Sequence, residues 1–252
     1  SPNKGRIMDR DWDAQNLWNR MGFPSEGSDD VYYNIKHFRE IHHNTQQNSI
    51  PLFMNIGKNR NRPNEEAEID YLYLVQRFKG LCEAFVVNVS SPNTQGLRSL
   101  QNEHALRSLS EKIVAAAGST PVLVKLSPDM SETEFLASLD ACLAAKVRGF
   151  ILTNTTLSRP EGCTFPAEGG LSGKSLAELS KKHLRLAEKH FANLSQQTAN
   201  FRSSLLIVSA GGVLNADDVK ERLDLGANLV QTYSGLVFSG PSFFRDVAEK
   251  LK

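Results

Sequence analysis

A parallel α/β fold in one domain is predicted by three features of this sequence. Short β-branched apolar runs alternate with segments of helical period from Pro51 to the C-terminus. Each run is continuously apolar rather than alternating, as expected of strands covered on both faces. No Pro/Gly/Ser linker divides the 252 residues, a length that fits one (β/α)8 barrel of roughly 250 residues or two smaller domains.

The elements follow in order. Residues 6–12 make at most a charged edge strand, and residues 29–43 read as one helix with Val31, Ile35, Phe38 and Ile41 inward. The parallel strands are expected at residues 52–56, 84–89, 122–126, 150–153, 205–209 and 229–233. Between them Ala67, Tyr71, Leu74 and Phe78, then Phe135, Leu139 and Leu143, then Val219 and Leu223 recur near the 3.6-residue period of amphipathic helices. Ser131 with Glu134 fits a capping box, Asn215 with Asp218 an N-cap turn, and Gly80, Gly118 and Gly226 stand where helices should stop. Repeated β-then-α units place helices outside a parallel sheet. Six strands are two short of a closed barrel, and the first 50 residues do not supply the missing pair. A gap is therefore expected between strands 52–56 and 229–233, and these residues alone are not expected to act as an enzyme.

Composition narrows the function. Lys+Arg 29 against Asp+Glu 28 leaves a net charge of +1, and no block of five or six like charges occurs, so the partner is expected to be a small molecule and not a nucleic acid. Apolar runs reach about seven residues, far below the roughly 20 of a membrane span. Cys82, Cys142 and Cys163 are odd in number and form no C-x-x-C pair, which favours a reducing compartment and no structural zinc. His42–His43 lacks a third ligand at metal spacing, so no metal is expected. The chain opens on Ser1 without a recognisable leader, consistent with removal of an earlier segment.

In parallel α/β domains ligands bind at the carboxyl ends of the strands. Those ends read Asn55-Ile-Gly-Lys58, Asn88-Val-Ser-Ser-Pro-Asn-Thr94, Lys125, Thr153-Asn-Thr155, Ala210-Gly-Gly212 and Tyr233-Ser-Gly235. The amides of Asn55, Asn88, Asn93 and Asn154 offer donor and acceptor together, which suits a planar heterocycle with carbonyl and N–H edges, although Asn also starts turns. Gly211-Gly212 and Ser234-Gly235 suit a phosphate cradle of backbone N–H groups, or simply tight turns. Lys125 ends an apolar strand and should project into the mouth, where it could hold negative charge on a ring or merely be solvated. The run Gly169-Gly-Leu-Ser-Gly-Lys-Ser175 fails the phosphate-loop spacing and is expected to be a long active-site loop.

The segments Asn88 to Arg98, Asn55 to Asn59, Thr153 to Thr156, Gly169 to Lys174 and Ala210 to Val213 together resemble the dihydroorotate dehydrogenase family, in order along nearly the whole chain. The resemblance implies an FMN-binding TIM barrel, here without its first two strands, spanning residues 1–252 as one partial domain and oxidising dihydroorotate to orotate in pyrimidine biosynthesis. Ser91, where other members carry Cys, implies the quinone-dependent class, found at the mitochondrial inner membrane of eukaryotes or the cytoplasmic membrane of bacteria. It further implies Ser91 as base with Thr94 relaying its proton. FMN contacts are implied at Asn55, Asn88, Lys125, Thr153, Gly173, Gly212, Tyr233 and Ser234. Substrate contacts are implied at Asn19, Arg20, Met21, Gly22, Phe23, Asn88, Asn93, Asn154 and Thr155. Arg10 and Tyr233 align with positions near the quinone path. Gln95 replaces a usual Pro, and the family's membrane-docking helices and a Lys-bearing loop against the substrate carboxylate have no counterpart in this sequence. The alternatives are another FMN barrel acting on a pyrimidine, or a non-catalytic fragment of the fold.

Overall fold

Alternation of side chains along each strand decides which face meets the helices and which faces inward. The computed structural model describes residues 5–43, 50–94, 96–196 and 200–252. Chain order runs β1 (Met8–Asp11), β2 (Asn16–Asn19), α1 (Ser28–His43), β3 (Phe53–Ile56), α2 (Ala67–Phe78), β4 (Ala84–Asn88), α3 (Glu103–Ala117), β5 (Val122–Leu126) and α4 (Glu132–Ala144). It continues with β6 (Gly149–Leu152), β7 (Gly170–Gly173), α5 (Ala177–Ser195), β8 (Leu206–Ala210), α6 (Ala216–Asp224), β9 (Leu229–Gln231), α7 (Ser234–Ser239) and α8 (Ser242–Lys250).

The six expected parallel strands form one curled sheet, in the order β3-β4-β5-β6-β8-β9. Among the described residues β3 and β9 each pair on one side only, so the barrel is open between them as expected. Outward-facing Phe85, Val87, Val122, Val124, Phe150, Leu152 and Ile207 join Tyr71, Phe78, Leu106, Ile113, Phe135 and Phe191 of the helices in the main core. The opposite face carries a smaller inner cluster of Ala84, Val86, Leu123, Ile151, Val208 and Ala210. Both capping boxes form: Ser131 Oγ accepts the Glu134 N–H at the start of α4, and Asn215 Oδ1 accepts the Asp218 N–H at the start of α6.

Two expectations are corrected. The segment expected to be a long loop contains β7, which pairs antiparallel with β2, and β2 pairs in turn with β1. Gly-Leu-Ser-Gly has little strand propensity of its own. Pairing makes it a strand, with Leu17, Trp18 and Leu171 buried in this small sheet. Its glycines allow close approach: a Cβ on Gly170 would lie 2.0 Å from Thr155 Oγ1, and one on Gly173, at φ +89°, would lie 2.1 Å from the Gln15 carbonyl oxygen. The second correction concerns α1. Val31 and Ile35 pack on the core, but Phe38 is 43% and Ile41 54% exposed. The inward line of α1 continues through Arg39, which bridges to the Glu83 carboxylate at 2.7 and 2.8 Å. With Tyr32 also on the core, the inward arc runs from Val31 to Tyr32, and at about 100° per residue Phe38 falls just past its edge and Ile41 well outside it. The His42–His43 side chains and Gln95 lie outside the described residues.

Candidate active site

Period-two alternation that points Ala84 and Val86 inward does the same for Asn88, and Leu123 likewise carries Lys125 to the inner face. Register then lines the ends up. Asn88 lies beside Lys125, and Ala210 lies beside Gln231. The Thr153 N–H donates to the Ala210 carbonyl at 2.7 Å.

These ends open on a cavity of about 300 Å³. Asn19, Lys125, Thr153, Asn154 and Thr155 line one part of it, and Gly211, Gly212, Tyr233 and Ser234 another. Asn88 and Asn93 reach it through lining residues: Asn154 Nδ2 donates to Asn88 Oδ1 at 3.3 Å and to Ser90 Oγ at 2.9 Å, and Asn93 Nδ2 donates to Asn19 Oδ1 at 3.0 Å. Among the described residues, the buried Asn93 Oδ1 has no hydrogen-bond partner. The backbone of Asn88 is held from the helix side, where the buried Tyr71 hydroxyl donates to its carbonyl at 3.0 Å.

Lys125 Nζ reaches Gln231 Oε1 at 3.5 Å. Desolvation lowers the Lys125 pKa from 10.5 to about 8, with no carboxylate to offset it. Ser91 and Thr94 are buried in the connection after β4, and Ser91 Oγ accepts the Asn93 backbone N–H at 3.3 Å. Arg98 stitches that connection to two others: its Nε donates to the Ser90 carbonyl at 3.0 Å, its Nη2 to the Thr155 carbonyl at 3.0 Å, and its Nη1 to Asp129 at 2.6 Å. Asp129 also accepts the Leu157 N–H at 2.8 Å and the Thr156 hydroxyl.

The donor set suits a flat, polar, phosphorylated ligand. Gly211 and Gly212 have φ of +104° and +71°, and a Cβ on Gly212 would lie 2.3 Å from Ala177 Cα. The turn is therefore closed to any side chain and presents bare backbone to the cavity.

The model of the family described as dihydroorotate dehydrogenase matches residues 3–252. The chain belongs to that family. A "Dihydroorotate dehydrogenase (quinone)" of Deinococcus radiodurans is 38% identical over 92% of this chain and 61% of its own length. One of Xylella fastidiosa is 35% identical over 94% of this chain and 66% of its own. A DHODH of Eimeria tenella, solved in complex with ferulenol, superposes with a TM-score of 0.87 at 29% identity, covering 99% of this chain and 70% of that one. The chain thus spans about two thirds or less of the length of these curated relatives.

Some expected residues stand apart from the main cavity. Asn55 and Phe23 line a second cavity of about 410 Å³ between α1, α2 and β3, where Phe23 covers Gly57 so closely that a Cβ there would lie 2.4 Å from its ring. Arg20 donates its backbone N–H at 2.8 Å to the carbonyl of Ile7, the residue before β1. Met21 and Gly22 are half-buried beside it, and Gly173 abuts Gln15 rather than the cavity. Arg10 lies over the Trp12 ring at 4.5 Å, and Tyr233 is 56% exposed at the rim.

Lining residues that sequence reasoning did not single out are Ser172, whose hydroxyl pairs with Ser234 Oγ at 3.0 Å, and Gln231 and Thr232. Gln231 was findable as the polar residue at the end of an apolar strand. Ser172 carried no such signal, since its strand exists through pairing with β2.

Proposed function

We propose that this chain carries the FMN and substrate sites of a quinone-dependent dihydroorotate dehydrogenase acting in pyrimidine biosynthesis. The observation that carries this reading is the meeting of the Asn88, Asn93 and Asn154 amides, Lys125 and the bare Gly211–Gly212 turn around one cavity under the Ser91 connection. FMN, when bound, supplies the hydride acceptor and the path of the electrons to a quinone.

For the cofactor we assign the phosphate to Gly212 and Ser234, with Tyr233 at the rim. We assign the ring to Lys125, Thr153 and Asn88, and to Asn55, which alternation places on the inner face of β3 with Phe53 although it stands beyond the main cavity, while Gly173 shapes the wall through its approach to Gln15. For the substrate, Asn19, Asn93, Asn154 and Thr155 supply paired donors and acceptors to the carbonyl and N–H edges of a dihydropyrimidine, Asn88 is shared, and Arg20, Met21, Gly22 and Phe23 continue the Asn19 segment. The unpartnered Asn93 Oδ1 supplies an acceptor for a ligand N–H.

Ser91 takes the proton from substrate C5. Its Oγ already receives the Asn93 N–H, a donor that favours negative charge on that oxygen as its own proton leaves by way of Thr94 or a water. Lys125 favours electron density on the pyrimidine side of the ring. Quinones dissolve in lipid, so turnover belongs at a membrane surface: the mitochondrial inner membrane in a eukaryotic cell, the cytoplasmic membrane in a bacterial one. Among the described residues no helix is long and apolar enough to cross it.

The test uses the full-length protein. Orotate should form from dihydroorotate with a quinone analogue as acceptor and not with NAD, and the flavin released on denaturation should be FMN. Release of FAD, or no orotate with any acceptor, contradicts the reading.

A further inference from the structure

Beneath the Gly211–Gly212 turn lies a cation that the proposed chemistry does not use. Arg222 of α6 is 1% exposed. Its Nη1 donates to Ser180 Oγ at 2.8 Å and Ser209 Oγ at 2.9 Å, and its Nη2 to the Ala177 carbonyl at 3.1 Å and the Gly211 carbonyl at 2.8 Å. All four acceptors are neutral, and among the described residues Nε is buried without a partner. Asp218, Glu221 and Glu178 favour its charge only at a distance. A buried guanidinium stays protonated and is costly to hold without an anion.

The placement of the carbonyl it holds gives this charge a use. In a trans peptide C=O and N–H point in opposite directions. Arg222 grips the oxygen of the Gly211–Gly212 peptide from the protein side, so the N–H of Gly212 is turned away from it. Both glycines line the cavity, and among the described residues the Gly212 N–H has no protein acceptor. A charge-assisted bond at the oxygen also polarises the peptide and strengthens its N–H as a donor.

We propose that Arg222 is a positioning residue for a phosphate monoester. It fixes and polarises the Gly211–Gly212 peptide, and its buried charge is balanced once a dianion sits on the other side of that peptide. This rests on the reading of the cavity as an FMN site and names the residue that would make it selective for the phosphorylated flavin.

The test titrates apoprotein of the full chain with FMN and with riboflavin, following quenching of flavin fluorescence. Arg222→Met should weaken FMN by about 10- to 100-fold, the weight of a bond to a charged group, and leave riboflavin within about twofold. Arg222→Lys keeps the charge but cannot fork to four acceptors. It should show the same selective loss at smaller size, and it serves if the Met variant does not fold. Equal weakening of both flavins, or of neither, overturns the role of Arg222 while leaving the cofactor reading intact. Wild-type protein that binds neither flavin refutes the cofactor reading itself.

Discussion

A serine hydroxyl is a poor base, so the weight placed on Ser91 has to come from its surroundings. It is buried, its oxygen receives a backbone N–H, and Thr94, also buried, follows three residues on. If Ser91 takes the C5 proton, Ser91→Ala should keep the flavin and slow its reduction by dihydroorotate by roughly 10²–10⁴-fold, the usual contribution of a general base. Stopped-flow absorbance reads this, and an unchanged rate would make Ser91 structural. Lys125 carries the opposite balance of stability and function. Its folded-state pKa, about 8, lies below the ordinary 10.5. The folded protein therefore holds the proton less tightly than the unfolded chain does. Below about pH 8 the ammonium costs folding stability, and the cost fades as pH rises from there toward 10.5. Lys125→Met should accordingly raise the Tm of the apoprotein near pH 7, lose that advantage near pH 10, and retain less flavin. Thermal unfolding at the two pH values checks the sign, and a Tm difference that grows with pH would contradict it.

Among the elements, the connections after β4, β5 and β6 behave as one unit because Arg98 and Asp129 tie Ser90, Thr155, Thr156 and Leu157 together. In the proposed site that unit spaces Ser91 from the amides assigned to the substrate, and a small misplacement there is costly to rate. Arg98→Met should lower kcat by about 10- to 100-fold with flavin content preserved, and Arg98→Lys should restore little, since one ammonium cannot serve three directions. Steady-state kinetics beside flavin absorbance tests this; loss of flavin in parallel with activity would show a general collapse instead. The same scale shows what was legible in the sequence. Strands β4, β5, β6 and β8 announced themselves as continuous apolar runs because both their faces are covered, whereas β3 and β9 read the same way although they border the gap, where Leu229 is 45% exposed. Strand β7 did not, since Gly170 and Gly173 are there to admit Thr155 and Gln15 rather than to favour a strand. Helix α1 was read a turn too far inward because Arg39 takes the buried line through an ion pair that no periodicity reveals. At the site, Asn88, Lys125, Thr153 and Asn154 were found by reading strand ends. Arg222 was hidden: a charged residue on a helix face normally signals solvent, and here four neutral acceptors hold it inside.

At the scale of the molecule, the described residues form a sheet of six parallel strands open at β3 and β9 beside the small sheet β1-β2-β7, with a cavity that draws on residues from Asn19 to Ser234. Its lining thus depends on β2, on the sheet and on the start of α7 together. Long-range assembly of this kind makes the amides, the ammonium and the glycine turn meet only when the whole chain is folded. The central claim is that this assembly binds FMN and oxidises dihydroorotate. The most direct measurement is anaerobic mixing of the purified, flavin-loaded full-length protein with dihydroorotate, followed by absorbance in the flavin bands. The account predicts bleaching in a single exponential, with orotate formed in a one-to-one ratio to the flavin reduced. A flavin that stays oxidised under dihydroorotate, while dithionite bleaches it, would contradict the account.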